Sequence, residues 1–302
     1  MSAVHDIVVL GAGLSGLTAA RGLADRGREV LVLDKGRSPG GRLAHRARSG
    51  FGFDHGSPWV EPHGGAFADY LRCACAEGAA ERVCRAPARI AGLPRMGAVL
   101  APLAEGIELR QEVEVTGARL DGARWRLSAP GGEIEARALV STVPSPQAAR
   151  LFPELADRLS SVTMLPCWTL MAAFDEPLGV PAPEWPDNGA RVIREPDKPG
   201  RRDRPEAWTM HAPALWSAEN LERDREEIVP DLLRMFSRAI ARRLPEPLHA
   251  RAHRWRYART GRPLGEPFLT GKKLRVGGDW CLGPSAEHAF ESGRSIAADL
   301  AG

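Results

Sequence analysis

The chain has 302 residues, 43% hydrophobic and 26% charged, with a formal net charge of +3. That length supports a large core and two domains, in a composition typical of globular proteins. So small a charge argues against a nucleic-acid or membrane-surface partner, and no apolar run is long enough to cross a bilayer.

The N-terminus enters a strand directly, with no basic-then-apolar export signal, so a cytoplasmic location is the expectation. That strand is the apolar run Ile7-Val8-Val9-Leu10. It feeds Gly11-Ala12-Gly13-Leu14-Ser15-Gly16, which opens a helix from Leu14 to about Arg26. A second apolar run, Val30 to Leu33, ends on Asp34. Strand, glycine turn, helix, strand and acid in this order form a dinucleotide-binding unit. Gly11, Gly13 and Gly16 allow the tight turn and close approach of a pyrophosphate. The helix N-terminus at Leu14 and Ser15 offers that anion unpaired N–H groups and partial positive charge. Asp34 is placed to accept from a ribose diol. It would repel a 2′-phosphate, although Lys35 and Arg37 follow at once.

Pro39-Gly40-Gly41-Arg42 comes next, a glycine pair and guanidinium able to wrap a phosphate. Phe51-Gly52-Phe53-Asp54-His55-Gly56 is a short strand ending on a small residue, where backbone can approach a flat ring. Residues 64–85 have a helical pattern, and Ile107 to Val115 alternates as a strand. Asp121-Gly122 is the turn of a hairpin, and Glu133 to Val143 forms another strand. Beyond Leu151 the texture changes. Trp168 to Phe174 and Trp208 to Ala212 are strands, separated by a Pro/Gly/Arg-rich stretch, 177–205, that is a loop or lid. Ser217 caps a long helix reaching Ile240, and the Arg194 to Arg204 run is a solvated loop, with recognition of substrate phosphates as the alternative. Arg254 to Ala258 is a strand, Leu274 to Asp279 is a strand ending in Gly278-Asp279, and Ala286 to Leu300 is a helix. Five scattered cysteines (Cys73, Cys75, Cys84, Cys167, Cys281) have no metal-ligand spacing; free thiols and no metal site are expected.

The glycine motif, Gly40-Gly41-Arg42, Phe53-Asp54-His55-Gly56, Trp255-Arg256-Tyr257-Ala258 and Gly278-Asp279-Trp280-Cys281 together resemble the bacterial renalase-like flavoproteins of the amine-oxidase-type superfamily. The resemblance spans nearly the whole chain. It implies an α/β fold, amine-oxidase/PHBH-like, with a Rossmann-like FAD-binding domain (1–62, 106–150, 256–302) interleaved with an α+β substrate or cap domain (63–105, 151–255). It implies non-covalent FAD held by Gly11, Gly13, Leu14, Ser15, Gly16, Asp34, Lys35, Gly41, Arg42, Gly56 and Ser57, with Val115 beside the adenine. Gly278 and Asp279 would meet the ribityl or pyrophosphate oxygens. The N-terminus of the last helix, at Glu287, His288 and Ala289, would face the pyrimidine edge of the flavin.

The chain departs from that family at His288, where relatives carry glycine, at Ser57-Pro58-Trp59-Val60, and in a shortened segment from about Cys84 to Pro94. These changes fall where a substrate would meet the ring. His55, His211 and His288 are the candidate catalytic groups, and Trp59, Trp208, Trp255 and Tyr257 are candidates for an aromatic wall. The activity the resemblance implies is hydride transfer from a small donor, such as an NAD(P)-type dihydronicotinamide isomer, to flavin N5. Reoxidation would be by O2, in a monomer or homodimer. A same-fold amine oxidase or desaturase and a non-catalytic flavin-binding protein are the alternatives.

Overall fold

The computed structural model describes residues 4–48, 50–85, 87–182, 189–201 and 206–301. Parts of the 177–205 stretch and of the Arg194 to Arg204 run lie outside these residues. The first half contributes strands β1 (Val4–Leu10), β2 (Val30–Leu33), β3 (Arg46–Arg48), β4 (Phe51–Phe53), β5 (Ala80–Arg85), β6 (Ala88–Gly92), β7 (Glu108–Arg110), β8 (Gly117–Asp121), β9 (Arg124–Ala129) and β10 (Gly132–Ser141). Its helices are α1 (Leu14–Ala24), α2 (Gly65–Ala76), α3 (Ala101–Ala104) and α4 (Ser145–Leu151). After α5 (Ala156–Ser160) come β11 (Thr163–Ala173), β12 (Arg191–Arg194) and β13 (Ala207–His211), then α6 (Ala214–Glu219) and α7 (Val229–Ala239). The chain closes with β14 (His249–Arg262), β15 (Phe268–Gly271), β16 (Leu274–Gly277), α8 (Asp279–Leu282) and α9 (Ala286–Ala301).

Eight strands form one sheet, ordered β15-β16-β10-β1-β2-β7, with β9 and β8 attached through β10. The inner pairs β16·β10, β10·β1, β1·β2 and β2·β7 are all parallel. Their apolar runs are buried on both faces, as a parallel sheet requires. Consequently Gly11, Asp34, Thr142 and Gly278 all follow carboxyl ends of parallel strands, where open α/β sheets bind ligands.

Helix α9 lies across α1. A Cβ on Gly293 would stand 2.3 Å from the Ser15 carbonyl oxygen, and one on Gly22 would stand 2.8 Å from the Ala297 Cβ. The two glycines therefore let the C-terminal helix pack directly on the glycine-turn helix. Helix α2 and the β5–β6 hairpin share their core with β1, α1 and α9 through Phe67, Leu71, Ile90 and Phe290.

The second sheet is β12-β13-β11-β14, antiparallel throughout. Alternation gives it two faces. Trp168, Leu170 and Ala172 pack with Leu232 and Phe236 of α7. Met171 and Ala173 pack the other way, with Phe53 of β4. That second face packs on the β3–β4 ribbon.

Four expected elements are drawn differently. The 217–240 helix is two, α6 and α7, because Asp224 turns back to accept from the Glu226 N–H and Pro230 suits a first turn. Ser217 is no cap: its buried hydroxyl accepts from the Trp168 N–H at 3.0 Å. The helical pattern of 64–85 stops at Ala76, and 80–85 pairs with β6. The 107–115 strand is only Glu108–Arg110, since Glu112 takes a positive φ of 57° and the chain turns back to donate from Val113 to the Asp34 carbonyl at 2.9 Å. Asp279 begins helix α8 rather than ending a strand.

Candidate active site

The glycine turn is held by backbone. Gly11 has a φ of 103°, and a Cβ on Gly16 would lie 1.9 Å from the Gly11 carbonyl oxygen. Gly13 differs: its extended backbone suits any residue, and a Cβ there would meet nothing within 4 Å. No side chain caps α1, and the Ser15 hydroxyl oxygen is buried with no protein partner. Open space, uncapped N–H groups and an orphaned hydroxyl fit a bound pyrophosphate. Asp34 accepts at 2.6 Å from both the Ala12 and Gly36 N–H groups, which ties the acid to the turn. Lys35 points away, to Glu114 on the surface at 3.5 Å. Leu14 is core and Val115 is half-buried beside the second hydrophobic cluster.

The Gly40-Gly41 pair packs on this turn. Gly40 N–H donates to the Ala12 carbonyl at 3.0 Å, and Gly41 takes a φ of 55°. Arg42 then reaches Asp279, 237 residues later, through both carboxylate oxygens, one contact at 2.8 Å. Burial pulls the Arg42 pKa down, but the Asp279 charge and hydrogen bonds more than reverse that, raising it. Thr260 also donates to Asp279, at 3.0 Å. Ser57 N–H donates to the Arg42 carbonyl at 2.7 Å, and a Cβ on Gly56 would collide with that carbonyl. Gly278 donates to the Ser292 hydroxyl of α9 at 2.9 Å. The glycine turn, Arg42, Gly56 and Asp279 thus come together from both ends of the chain.

His288 closes a capping box at the start of α9. Its N–H donates to the Ser285 hydroxyl at 3.2 Å, and its Nδ1 accepts from the Ser285 N–H at 3.3 Å. With Nδ1 an acceptor, the neutral ring carries its proton on Nε2. Glu287 reaches sideways and accepts from the His63 N–H at 2.9 Å. Ala289 is buried.

His55 and His211 meet each other rather than His288. The His55 carbonyl accepts from Trp255 Nε1 at 3.0 Å and lies 3.3 Å from His211 Nε2. The His55 ring stacks on Trp255 at 5.3 Å and meets His253 edge-on at 4.8 Å. Trp208, by contrast, is buried among Phe236 and its neighbours behind the sheet, so it belongs to no aromatic wall. Tyr257 bonds Arg150 instead.

Desolvation, aided by nearby arginines, lowers the pKa of His55 and of His211 to about 4 and that of His253 to about 3. These rings are neutral at pH 7. The unfolded chain takes up their protons near pH 6.5, so below that value it binds more protons than the folded one and stability must fall with pH. The stabilisation is complete above pH 6.5 and is lost as pH drops toward 4. By pH 5 the expected loss is about 1–2 kcal/mol per ring, at ~1.4 kcal/mol per pKa unit. Urea midpoints at pH 7.5 and 5.0 check this, and equal midpoints would contradict it.

The sequence reading missed a buried ion cluster. Asp54, Glu195, Lys198 and Arg201 are all at most 5% exposed. Lys198 and Arg201 each reach Asp54, at 2.9 and 2.7 Å, and each reaches Glu195, at 2.9 and 2.7 Å. His45 Nδ1 donates to Asp54 at 2.8 Å, and Thr209 donates to Glu195 at 2.7 Å. Burial opposes ionisation of Asp54, but Lys198, His45 and Arg201 together hold its pKa well below the usual carboxylate range. Lys198 and Arg201 are therefore not part of a solvated loop. The only local hint was the i, i+3 spacing of Glu195 and Lys198.

No group of three or more His, Cys, Asp or Glu suited to a metal occurs among the described residues. No helix among them is long and apolar enough to cross a membrane. The five cysteines are unbridged.

Residues 9–74 match the model of an NAD(P)-binding Rossmann-like domain, and residues 75–301 match that of the flavin containing amine oxidoreductases. Prolycopene isomerase of Daucus carota is 49% identical over 53 residues, 18% of this chain and 9% of that protein. A carotenoid 3,4-desaturase of Haloarcula japonica is 44% identical over 55 residues, 18% of this chain and 11% of that one. The chain therefore matches about a tenth of the length of these curated relatives. Among solved structures, a putative protoporphyrinogen oxidase from Exiguobacterium sp. 255-15 superposes with a TM-score of 0.78 at 12% identity, over 100% of this chain and 99% of that one. Cyclohexylamine oxidase from Brevibacterium oxydans gives 0.69 at 13% identity, over 99% of each chain. At such identities the likeness shows the fold. With the second family model matching most of the chain, the protein belongs to the flavin containing amine oxidoreductase family.

Proposed function

We propose that the protein oxidises a small, electron-rich donor of the isomeric dihydronicotinamide type, a renalase-like reaction with O2 as electron acceptor. Bound FAD supplies the hydride acceptor, N5, and the route for two electrons to O2. In this reading Gly13, Ser15 and the α1 N-terminus bind the pyrophosphate, Asp34 the ribose, and Arg42 and Asp279 the ribityl side. Backbone at 287–289 meets the pyrimidine edge. The 1–62, 106–150 and 256–302 segments form the cofactor domain and 151–255 the cap. We read the 63–105 segment, which the resemblance gives to the cap, on the cofactor side, because α2 and the β5–β6 hairpin share a hydrophobic core with α1 and α9.

The observation that carries this reading is the proton chemistry of the cap face. His55, His211 and His253 are held as weak bases, and burial pushes the Cys167 thiol up to about 11. Lys198 is locked between Asp54 and Glu195, while Lys35, Lys272 and Lys273 are at the surface. Among the described residues of that face, none is suited to strip a proton from an ammonium ion near pH 7. A dihydropyridine gives up hydride without that step and needs chiefly to be positioned. His288 Nε2–H is available as a donor to orient it.

The amine oxidase reading draws on the shared fold with cyclohexylamine oxidase. Anaerobic mixing of the FAD-loaded protein with dihydronicotinamide isomers and with amines separates the two. The expected result is rapid loss of the visible flavin band with a dihydronicotinamide isomer and none with amines. Bleaching by an amine alone would select the second reading, and no bleaching by any donor would leave a flavin-binding protein without turnover.

A further inference from the structure

Arg46 and Arg48 lie two apart on β3, opposite Phe53 and Phe51 of β4, so all four side chains share one face of the ribbon. Phe53 on that face is buried against Met171 and Ala173 of the second sheet, with Phe51 beside it. Across the β11–β14 ladder, Met171 pairs with Arg251 and Ala173 with His249. The Phe53 and His249 rings are 5.7 Å apart. Arg46 and Arg48 from the ribbon and Arg251 from β14 therefore flank one contact, on the outer strand of the second sheet.

Arg48 and Arg251 are exposed and Arg46 is half-buried. Elsewhere surface arginines find acids: Arg28 holds Asp6 at 2.8 Å, Arg119 holds Glu133 at 2.7 Å and Arg223 holds Asp231 at 2.7 Å. Among the described residues, no carboxylate pairs with Arg46, Arg48 or Arg251, and no hydrogen bond engages their guanidinium groups. The charges act on one another instead. Desolvation, then Arg251, Arg225 and Arg37, lower the Arg46 pKa. Desolvation, then Arg251, Arg48 and Arg46, lower that of His249. His249 Nε2 is also buried without a partner. Arg37 has Glu112 at 3.7 Å and Arg225 follows Asp224, so neither is counted in the group.

We propose that Arg46, Arg48 and Arg251 form a site for a phosphate-type oxyanion of two or more negative charges, apart from the cofactor turn. Guanidinium groups present forked donors that match the oxygens of such an anion. The anion also removes the mutual repulsion that the unliganded cluster carries. A single carboxylate would answer one of the three charges, whereas a multiply charged phosphate answers most of the group. The site is independent of which donor the flavin oxidises.

Pyrophosphate, a probe of this charge, is titrated into the FAD-loaded protein at constant ionic strength and followed by calorimetry and by the melting midpoint. The expected result is binding that Arg251→Met weakens ~10-fold or more, the loss of one charged hydrogen-bonding partner, with Arg48→Met acting in the same direction. In chloride alone Arg251→Met should melt at or above the wild-type temperature, because a repulsion is gone. In pyrophosphate the order should reverse, since only the wild type gains the full binding energy. Bound pyrophosphate should also raise the His249 pKa, read by nuclear magnetic resonance, which places the anion at this contact. If Arg251→Met does not fold, Arg48→Met decides. Vesicles of phosphatidylcholine with and without phosphatidic acid tell the source of the phosphate: Arg251-dependent capture by the acidic vesicles assigns a lipid headgroup, and pyrophosphate binding without capture assigns a free phosphate. Absence of pyrophosphate binding, or binding and melting shifts indifferent to the folded variants, overturns the site and leaves the arginines as guards of an edge strand.

Discussion

Asp54→Ala is expected to lower the unfolding free energy by about 3–5 kcal/mol, the range for breaking one partner out of a buried ion network. The cluster is balanced, with two carboxylates facing two cations, and all four are within 5% of full burial. Removing Asp54 leaves Lys198 and Arg201 sharing Glu195 alone, in surroundings where an unmatched charge cannot be hydrated. It also strands His45 Nδ1 and the Met96 N–H, both of which donate to Asp54. Asp54 follows β4, while Glu195 and Thr209 belong to the second sheet and its edge. The network therefore fixes how the cap face sits over His55 and Gly56. Urea unfolding measures the loss. Adding Lys198→Met should recover part of it, because charge parity returns, so the double variant should lose less than the sum of the singles. A single-variant loss below about 1 kcal/mol would contradict a network of this kind.

Gly13→Ala should keep the fold and lose the cofactor. Its backbone is extended (φ −83°, ψ −178°) and an added methyl touches no protein atom. The methyl instead enters the space in front of the uncapped α1 N-terminus. We expect wild-type stability of the FAD-free protein and a rise in the FAD dissociation constant of ~100-fold or more, about 2.7 kcal/mol by the usual conversion. Gly16→Ala makes the contrast. Its methyl would stand 1.9 Å from the Gly11 carbonyl oxygen and 2.7 Å from Thr142 Oγ1, so the turn itself must move and the apoprotein should be destabilised by about 1–3 kcal/mol or more. Urea unfolding of the stripped proteins and FAD titration by fluorescence separate the two effects. A Gly13→Ala protein that retains FAD at wild-type affinity would show that the pyrophosphate does not lie there.

The long-range contacts explain what sequence reading could and could not find. Gly11, Gly13, Gly16 and Asp34 were legible because one continuous strand–turn–helix–strand segment carries them, and the Arg42 and Asp279 signals were each legible locally. Their bidentate pairing was not, since 237 residues separate them. His288 drew attention as an unusual residue near an expected ring, and only the hydrogen bonds to Ser285 revealed a capping role. Trp208 looked like a candidate wall because alternation along a strand does not say which face meets helices and which meets the cofactor side. The arginine-rich stretch has the pattern of a solvated loop, because charge runs usually face water. Asp54 reverses that expectation from 144 and 147 residues away.

The sequence alone determined the dinucleotide unit, the strand-rich middle and the strand followed by a long helix at the C-terminus, because each is encoded by neighbours within about thirty residues through backbone sterics and hydrophobic period. Tertiary structure alone decided which charges are buried together, which histidines are neutral and which face of the second sheet packs on β4. Those depend on desolvation and on partners brought close only when the sheets and helices pack, and no local pattern carries that information.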